Sequence, residues 1–167
     1  MAIFKIKKAV LISLLLLMCS FSHANSNQNI YQMTLSILSY AKISSPQPDL
    51  CLIDNTVALA EFNQIILKQN SKIKAQNIHD YELNKTNCDV IFFSKSSPTV
   101  EQKLIGESLK KSILSFSTNN EDCEVGSVFC LYSNKAGITK FKVNLDSLAK
   151  TKIHVDPRVL LLAQNME

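Results

Sequence analysis

Cys88-Asp89-Val90-Ile91-Phe92-Phe93 is a short, unbroken apolar run behind a cysteine and an acid, followed at once by the polar stretch Ser94 to Ser97. A continuous run of this length suits a strand covered on both faces, the situation inside a parallel sheet, better than a strand with one face in water. Working outward, Leu50-Cys51-Leu52-Ile53 is a second buried run bounded by turn residues, and Ile73 to Ile78 and Ser112 to Ser117 are further strand candidates. Helical patterns separate them. Asp54-Asn55-Thr56 caps a helix from about Val57 to Lys68 that turns Leu59, Phe62, Ile65 and Ile66 inward, and Ser97-Pro98 starts another that runs to about Lys110. Upstream, Ile30, Met33, Ile37, Leu38 and Ala41 recur at helical spacing over Ile30 to Ile43, until Ser44-Ser45-Pro46-Gln47-Pro48 stops the helix. Strands and helices in alternation predict an α/β fold: a single-domain layered sandwich with a mixed sheet flanked by helices.

The last third has a different rhythm. Val128 to Tyr132 and Thr139 to Leu145 read as two strands joined by a turn at Asn134 to Gly137, with Phe141, Val143 and Leu145 alternating. Asp146 to Ala149 is a short helical turn. Val155-Asp156-Pro157 opens a closing helix through Leu160, Leu161 and Leu162, with Asp156 as N-cap and Pro157 as first helical residue.

The chain has 167 residues, enough for one compact domain. Its three glycines, Gly106, Gly126 and Gly137, form neither G-x-G-x-x-G nor a P-loop, which excludes the glycine-backbone modes of phosphate binding. The charge of +4 is concentrated at the N-terminus. Residues 1 to 24 carry Lys5, Lys7 and Lys8, the apolar run Ala9 to Met18, and the small-residue cleavage pattern Ser22-His23-Ala24. These are the three regions of a secretory signal peptide, with an apolar run shorter than the roughly 20 residues of a membrane span. The expected organisation is a signal peptide over 1–24 and an exported domain over 25–167. Removing the three lysines from the 18 basic residues leaves 15 against 14 acidic, a net charge of +1 that gives no reason to expect nucleic acid as a partner. A lipid anchor on Cys19 is disfavoured because Met18 precedes it where a small residue is needed.

Loss of the leader also turns five cysteines into four: Cys51, Cys88, Cys123 and Cys130. Export to an oxidising compartment makes disulfides the expected state, and four cysteines allow three pairings. Cys51 and Cys88 stand near the starts of two strands that can be neighbours, which favours Cys51–Cys88 with Cys123–Cys130. Zinc is the rival reading, but Cys-x6-Cys is wide for a zinc knuckle and only His79 and His154 remain as further ligands. No Cys-x-x-Cys is present for thiol redox catalysis.

Catalytic machinery is not legible either. Gly126-Ser127-Val128 lacks the second glycine of a nucleophile elbow, the acids Glu121, Asp122 and Glu124 do not form a spaced calcium loop, and neither histidine sits in a known catalytic pattern. Asn84-Lys85-Thr86 matches the glycosylation sequon, which has meaning only in a eukaryotic secretory pathway. No cofactor is expected, and an enzyme would need His79 or His154 to carry turnover.

One segment is distinctive. Asp122-Cys123-Glu124-Val125-Gly126-Ser127-Val128-Phe129-Cys130-Leu131 encloses a Gly-Ser turn in a short cysteine loop. It is followed by Phe141-Lys142-Val143-Asn144-Leu145-Asp146-Ser147-Leu148-Ala149 and by Val155-Asp156-Pro157-Arg158-Val159-Leu160-Leu161-Leu162-Ala163. Together these resemble the C-terminal signature of the YfiR family. Ile37-Leu38-Ser39-Tyr40, Leu50-Cys51-Leu52-Ile53, Cys88-Asp89 and Ser97-Pro98-Thr99 extend the resemblance, in order, over nearly all of the chain past the leader.

The resemblance implies a periplasmic inhibitor that holds down an inner-membrane diguanylate cyclase through the cyclase's periplasmic region. An outer-membrane lipoprotein would sequester it when envelope conditions change. It also implies two intramolecular disulfides at the positions paired above, and a homodimer. Family members often carry a tryptophan beside the proline after the first helix, whereas Tyr40-Ala41-Lys42-Ile43-Ser44-Ser45-Pro46 has none. Tyr40, Lys42, His154 and Arg158 are the candidates for contact with a partner or ligand. Arg158, the only arginine, has the planar fork that suits carboxylate or phosphate recognition. The alternative is a periplasmic small-molecule sensor module that represses no cyclase.

Overall fold

The computed structural model describes residues 29–164; the leader expected over 1–24, with Cys19, lies outside the described residues. In chain order the elements are α1 (Ile30–Ser39), β1 (Asp49–Ile53), α2 (Thr56–Lys68), β2 (Lys74–Ile78), a 3-10 turn (Asp80–Glu82), β3 (Val90–Phe93), α3 (Pro98–Glu107), β4 (Leu114–Ser117), β5 (Phe129–Ser133), β6 (Thr139–Val143), α4 (Leu145–Thr151) and α5 (Pro157–Gln164). The six strands form one mixed sheet in the order β2-β1-β3-β4-β5-β6. The first five are mutually parallel, and β6 returns antiparallel beside β5. This is the expected α/β layered architecture with a mixed sheet.

A parallel sheet has to be covered on both faces, and the residue alternation shows how. Leu50, Leu52, Val90, Phe92, Leu114, Phe116, Phe129, Leu131 and Phe141 point to one side, where they meet Leu35 and Leu38 of α1, Phe62 and Ile65 of α2 and Val159 of α5. Phe62, on α2, packs edge-on to Phe92 at 5.1 Å between centroids. Cys51, Ile53, Ile91, Phe93 and Ile113 belong to a smaller core on the other side, shared with Leu104 of α3 and with Leu83 and Cys88.

Helix limits differ from the sequence pattern where tertiary hydrogen bonds intervene. The first helix ends at Ser39 rather than Ile43, because Ala41 forms an antiparallel bridge with Val155. Helix α3 ends at Glu107 rather than near Lys110. There the Ser108 hydroxyl donates to the Ile105 carbonyl, and Lys111 Nζ donates to the carbonyls of Gly106 and Ser108, taking up acceptors that a longer helix would have used. Helix α4 runs to Thr151, longer than the turn expected, with Asn144 capping it by accepting from the Ser147 N–H. The β5–β6 hairpin turns where expected: Gly137 has φ +74° and its N–H donates to the Asn134 carbonyl.

Candidate functional site

The segments after α1 and before α5 run side by side for three residues. The Asp156 N–H donates to the Tyr40 carbonyl at 3.0 Å, the Lys42 N–H donates to the His154 carbonyl at 2.8 Å, and Ala41 pairs with Val155 between them. Residues 114 positions apart in sequence, Tyr40 and His154, are thus held in one two-stranded clasp. All four candidate contact residues, Tyr40, Lys42, His154 and Arg158, lie on it or on the first turn of the helix that leaves it, and each is exposed.

Asp156 organises this corner. Its carboxylate accepts from the Arg158 backbone N–H at 2.9 Å, which caps the start of α5, and from Arg158 Nε and a terminal guanidinium nitrogen at 3.0 and 2.7 Å. The hydrogen bond from the Arg158 side chain, helped by that from its backbone N–H, draws the Asp156 carboxyl down from 3.8 to about 2. The same bond raises Arg158. The guanidinium lies 5.6 Å from the centre of the Tyr40 ring, within cation–π range. One edge of the arginine fork is therefore engaged within the molecule by Asp156, while the guanidinium stays largely exposed beside the Tyr40 ring.

Beside this charged pair, Tyr40, Arg158, Val159, Leu161 and Leu162 line an open depression of about 340 Å³. Tyr40 is 46% exposed, Leu161 57% and Leu162 52%. In the sequence, Leu161 and Leu162 are only part of a closing helix. Helical phase separates them, because α5 buries Val159 and Ala163 at spacing i, i+4 and so turns Leu161 and Leu162 away. Clustered apolar side chains with a polar rim are the pattern of a surface that meets another molecule.

Two disulfides stiffen the molecule. Cys51 of β1 is bonded to Cys88 just before β3, and Cys123 to Cys130 across the loop that enters β5. The second loop has a further anchor that sequence patterning missed. Glu101, in the first turns of α3, is fully buried, where it accepts from the Ser117 hydroxyl at 2.5 Å, the Ser127 N–H at 3.1 Å and the Asn120 side-chain amide at 3.3 Å. Asn120 in turn accepts from the Cys123 N–H and donates to the Val125 carbonyl. Gly126, at φ +89°, passes so close that an added Cβ would sit 2.7 Å from the Pro98 carbonyl oxygen and 2.8 Å from the Glu101 carboxylate. Ser127 Oγ is the one buried side-chain oxygen or nitrogen among the described residues with no hydrogen-bond partner.

His79 and His154 are not brought together into a reaction centre. His79 follows β2, where its Nδ1 lies 2.6 Å from an Asp54 carboxylate oxygen and its ring stacks on Tyr81; His154 belongs to the clasp. Among the described residues, no three of His, Cys, Asp and Glu are grouped to hold a metal ion, and no helix is long and apolar enough to cross a membrane. The YfiR/HmsC-like family model matches residues 31–164, a span that includes all six strands, both disulfides and the Tyr40–Arg158 corner. The chain belongs to the YfiR/HmsC-like family.

Proposed function

We propose that this protein is a periplasmic repressor that binds the periplasmic region of an inner-membrane diguanylate cyclase and lowers cyclic di-GMP synthesis. In this reading an outer-membrane lipoprotein relieves repression under envelope or redox stress. Membership of the YfiR/HmsC-like family, a regulatory family associated with periplasmic control of diguanylate cyclase signalling, supports it. So do two disulfides, which fit an oxidising compartment.

The observation that carries the reading is the corner where the clasp gathers Tyr40, Lys42, His154 and Arg158 beside Leu161 and Leu162. Leucines and a tyrosine supply area to desolvate, and the Asp156–Arg158 pair holds the tyrosine face in place before any partner arrives, which lowers the entropy cost of binding. Repression then follows as a population shift. The protein moves the cyclase toward its inactive arrangement only by the margin with which it prefers that state, about 1.4 kcal/mol for each factor of ten. The disulfides keep the binding surface fixed, and reducing them weakens repression. The homodimer implied by the family resemblance presents two such corners to the cyclase.

Replacing Leu161 by Asp tests this directly, because the side chain is exposed and its loss leaves the core intact. Binding to the cyclase's periplasmic region is expected to weaken by about tenfold or more, the effect of removing an interface anchor. Unchanged affinity would rule out the corner as the contact. The second reading, a small-molecule sensor without a cyclase, draws on an apolar groove of about 380 Å³ lined by Leu35, Leu38, Ile43 and Ile73 among others. A gene for a membrane diguanylate cyclase beside this one favours repression, and a solitary gene favours the sensor.

A further inference from the structure

On the α3 side of the sheet, away from the clasp, a cleft of about 350 Å³ opens between the end of α3 and α4. Ile105, Ile113 and Val128 give it apolar walls, and its rim holds Lys111 and Lys150 with no carboxylate anywhere in the lining. Residues 25–167 carry a formal charge of only +1, so two lysines with no acid in the lining bias this cleft toward an anion, with Lys111 Nζ also donating to the Gly106 and Ser108 carbonyls at the end of α3.

Two details point to an occupant. Ser115, 1% exposed, lines the cleft, and its Oγ accepts from the Val128 N–H at 3.0 Å, a bond that leaves its O–H able to donate to an occupant. A buried hydroxyl can donate as well as accept, and leaving the donor unused is costly. Gly106 is the second. It sits in α3 with ordinary helical backbone, and a Cβ added there would meet nothing within 4 Å. Neither backbone geometry nor crowding calls for glycine, which weakens a helix relative to alanine. What it does is leave the mouth of the cleft open.

We propose that this cleft binds a small amphipathic anion. Its apolar body lies over Ile105, Ile113 and Val128, an oxygen accepts from Ser115, and its charged head sits at the Lys111–Lys150 rim. Such a ligand would touch the wall formed by Gly126 and Val128, so occupancy would be felt by the Cys123–Cys130 loop, where the Ser147 hydroxyl already donates to the Gly126 carbonyl. This site is separate from the Tyr40–Arg158 corner and stands whether or not that corner meets a cyclase.

The test uses 2-naphthoate as probe and the neutral 2-naphthalenemethanol as control, followed by amide shifts of the purified protein in solution NMR. Saturable shifts at Gly106, Ser115, Gly126, Val128 and Ser147 are expected for the anion, with binding about fivefold weaker in Lys111→Gln/Lys150→Gln, whose melting is followed alongside because Lys111 also donates to the carbonyls that end α3. Gly106→Leu is expected to abolish binding while the protein melts no earlier than the wild type. Three results would overturn the proposal: no saturable shift at these amides, shifts confined to the clasp side, or equal affinity for the neutral alcohol or in the double-lysine variant.

Discussion

Arg158 and Asp156 illustrate how far residue types can be read without neighbours. An unpaired arginine in a sequence invites a partner's carboxylate, but here the carboxylate two residues earlier takes one edge of its fork, Nε and a terminal nitrogen. Because the Asp156 carboxyl is held near 2 in the folded protein against an ordinary 3.8, whatever stability the pair adds is present above about pH 4. It is lost as pH falls through 2. Carbon-detected NMR titration should place the Asp156 midpoint near 2 in the wild type, and Arg158→Ala should return it toward 3.8. A midpoint that stays low in the variant would show that the guanidinium is not its cause. Glu101 was illegible for the opposite reason. An acid in the first turn of a helix ordinarily interacts with solvent and the helix dipole, and nothing in Ser97-Pro98-Thr99-Val100-Glu101 announces that this one turns under the sheet. Glu101→Ala leaves the Ser127 N–H and the Ser117 hydroxyl without their acceptor, so urea denaturation should show a loss of about 2–4 kcal/mol. A loss within the ordinary surface range of about 0.5 kcal/mol would contradict the burial.

At the scale of elements, the runs that decide the sheet were readable because their pattern is intrinsic. Val90 to Phe93 is wholly buried, and the strand around Leu50 lies directly beside it. Helix ends were less readable, because distant segments set them: nothing near Ile43 in sequence reveals that Ala41 pairs with Val155. The exposed leucines of α5 were half-readable, since three consecutive leucines on a helix cannot all face one core, but which one turns inward depends on where Val159 and Ala163 dock. Cys51–Cys88 spans 37 residues and Cys123–Cys130 only 7, so the chain-entropy model assigns them about 4 and about 2.5 kcal/mol. Paired Cys→Ala variants should lose stability in that order in denaturant titrations. Equal losses would mean that the packing around each bridge, with Glu101 anchoring the shorter loop, outweighs loop entropy.

For the whole molecule, the sequence and the structure divide the labour differently. Alternating strands and helices made the layered α/β architecture legible, whereas the strand order β2-β1-β3-β4-β5-β6 depends on crossovers that no local pattern encodes. Nothing in the sequence brings Tyr40, Lys42, His154 and Arg158 together, and only the fold places these candidate contact residues in one corner. If this corner serves repression of a diguanylate cyclase, as proposed, loss of the protein frees the cyclase. Deleting the gene in a strain that expresses the candidate cyclase, and measuring cellular cyclic di-GMP, tests it most directly. Cyclic di-GMP is expected to rise, and the rise to be reversed by the wild-type protein and not by Leu161→Asp; an unchanged level after deletion would rule out repression.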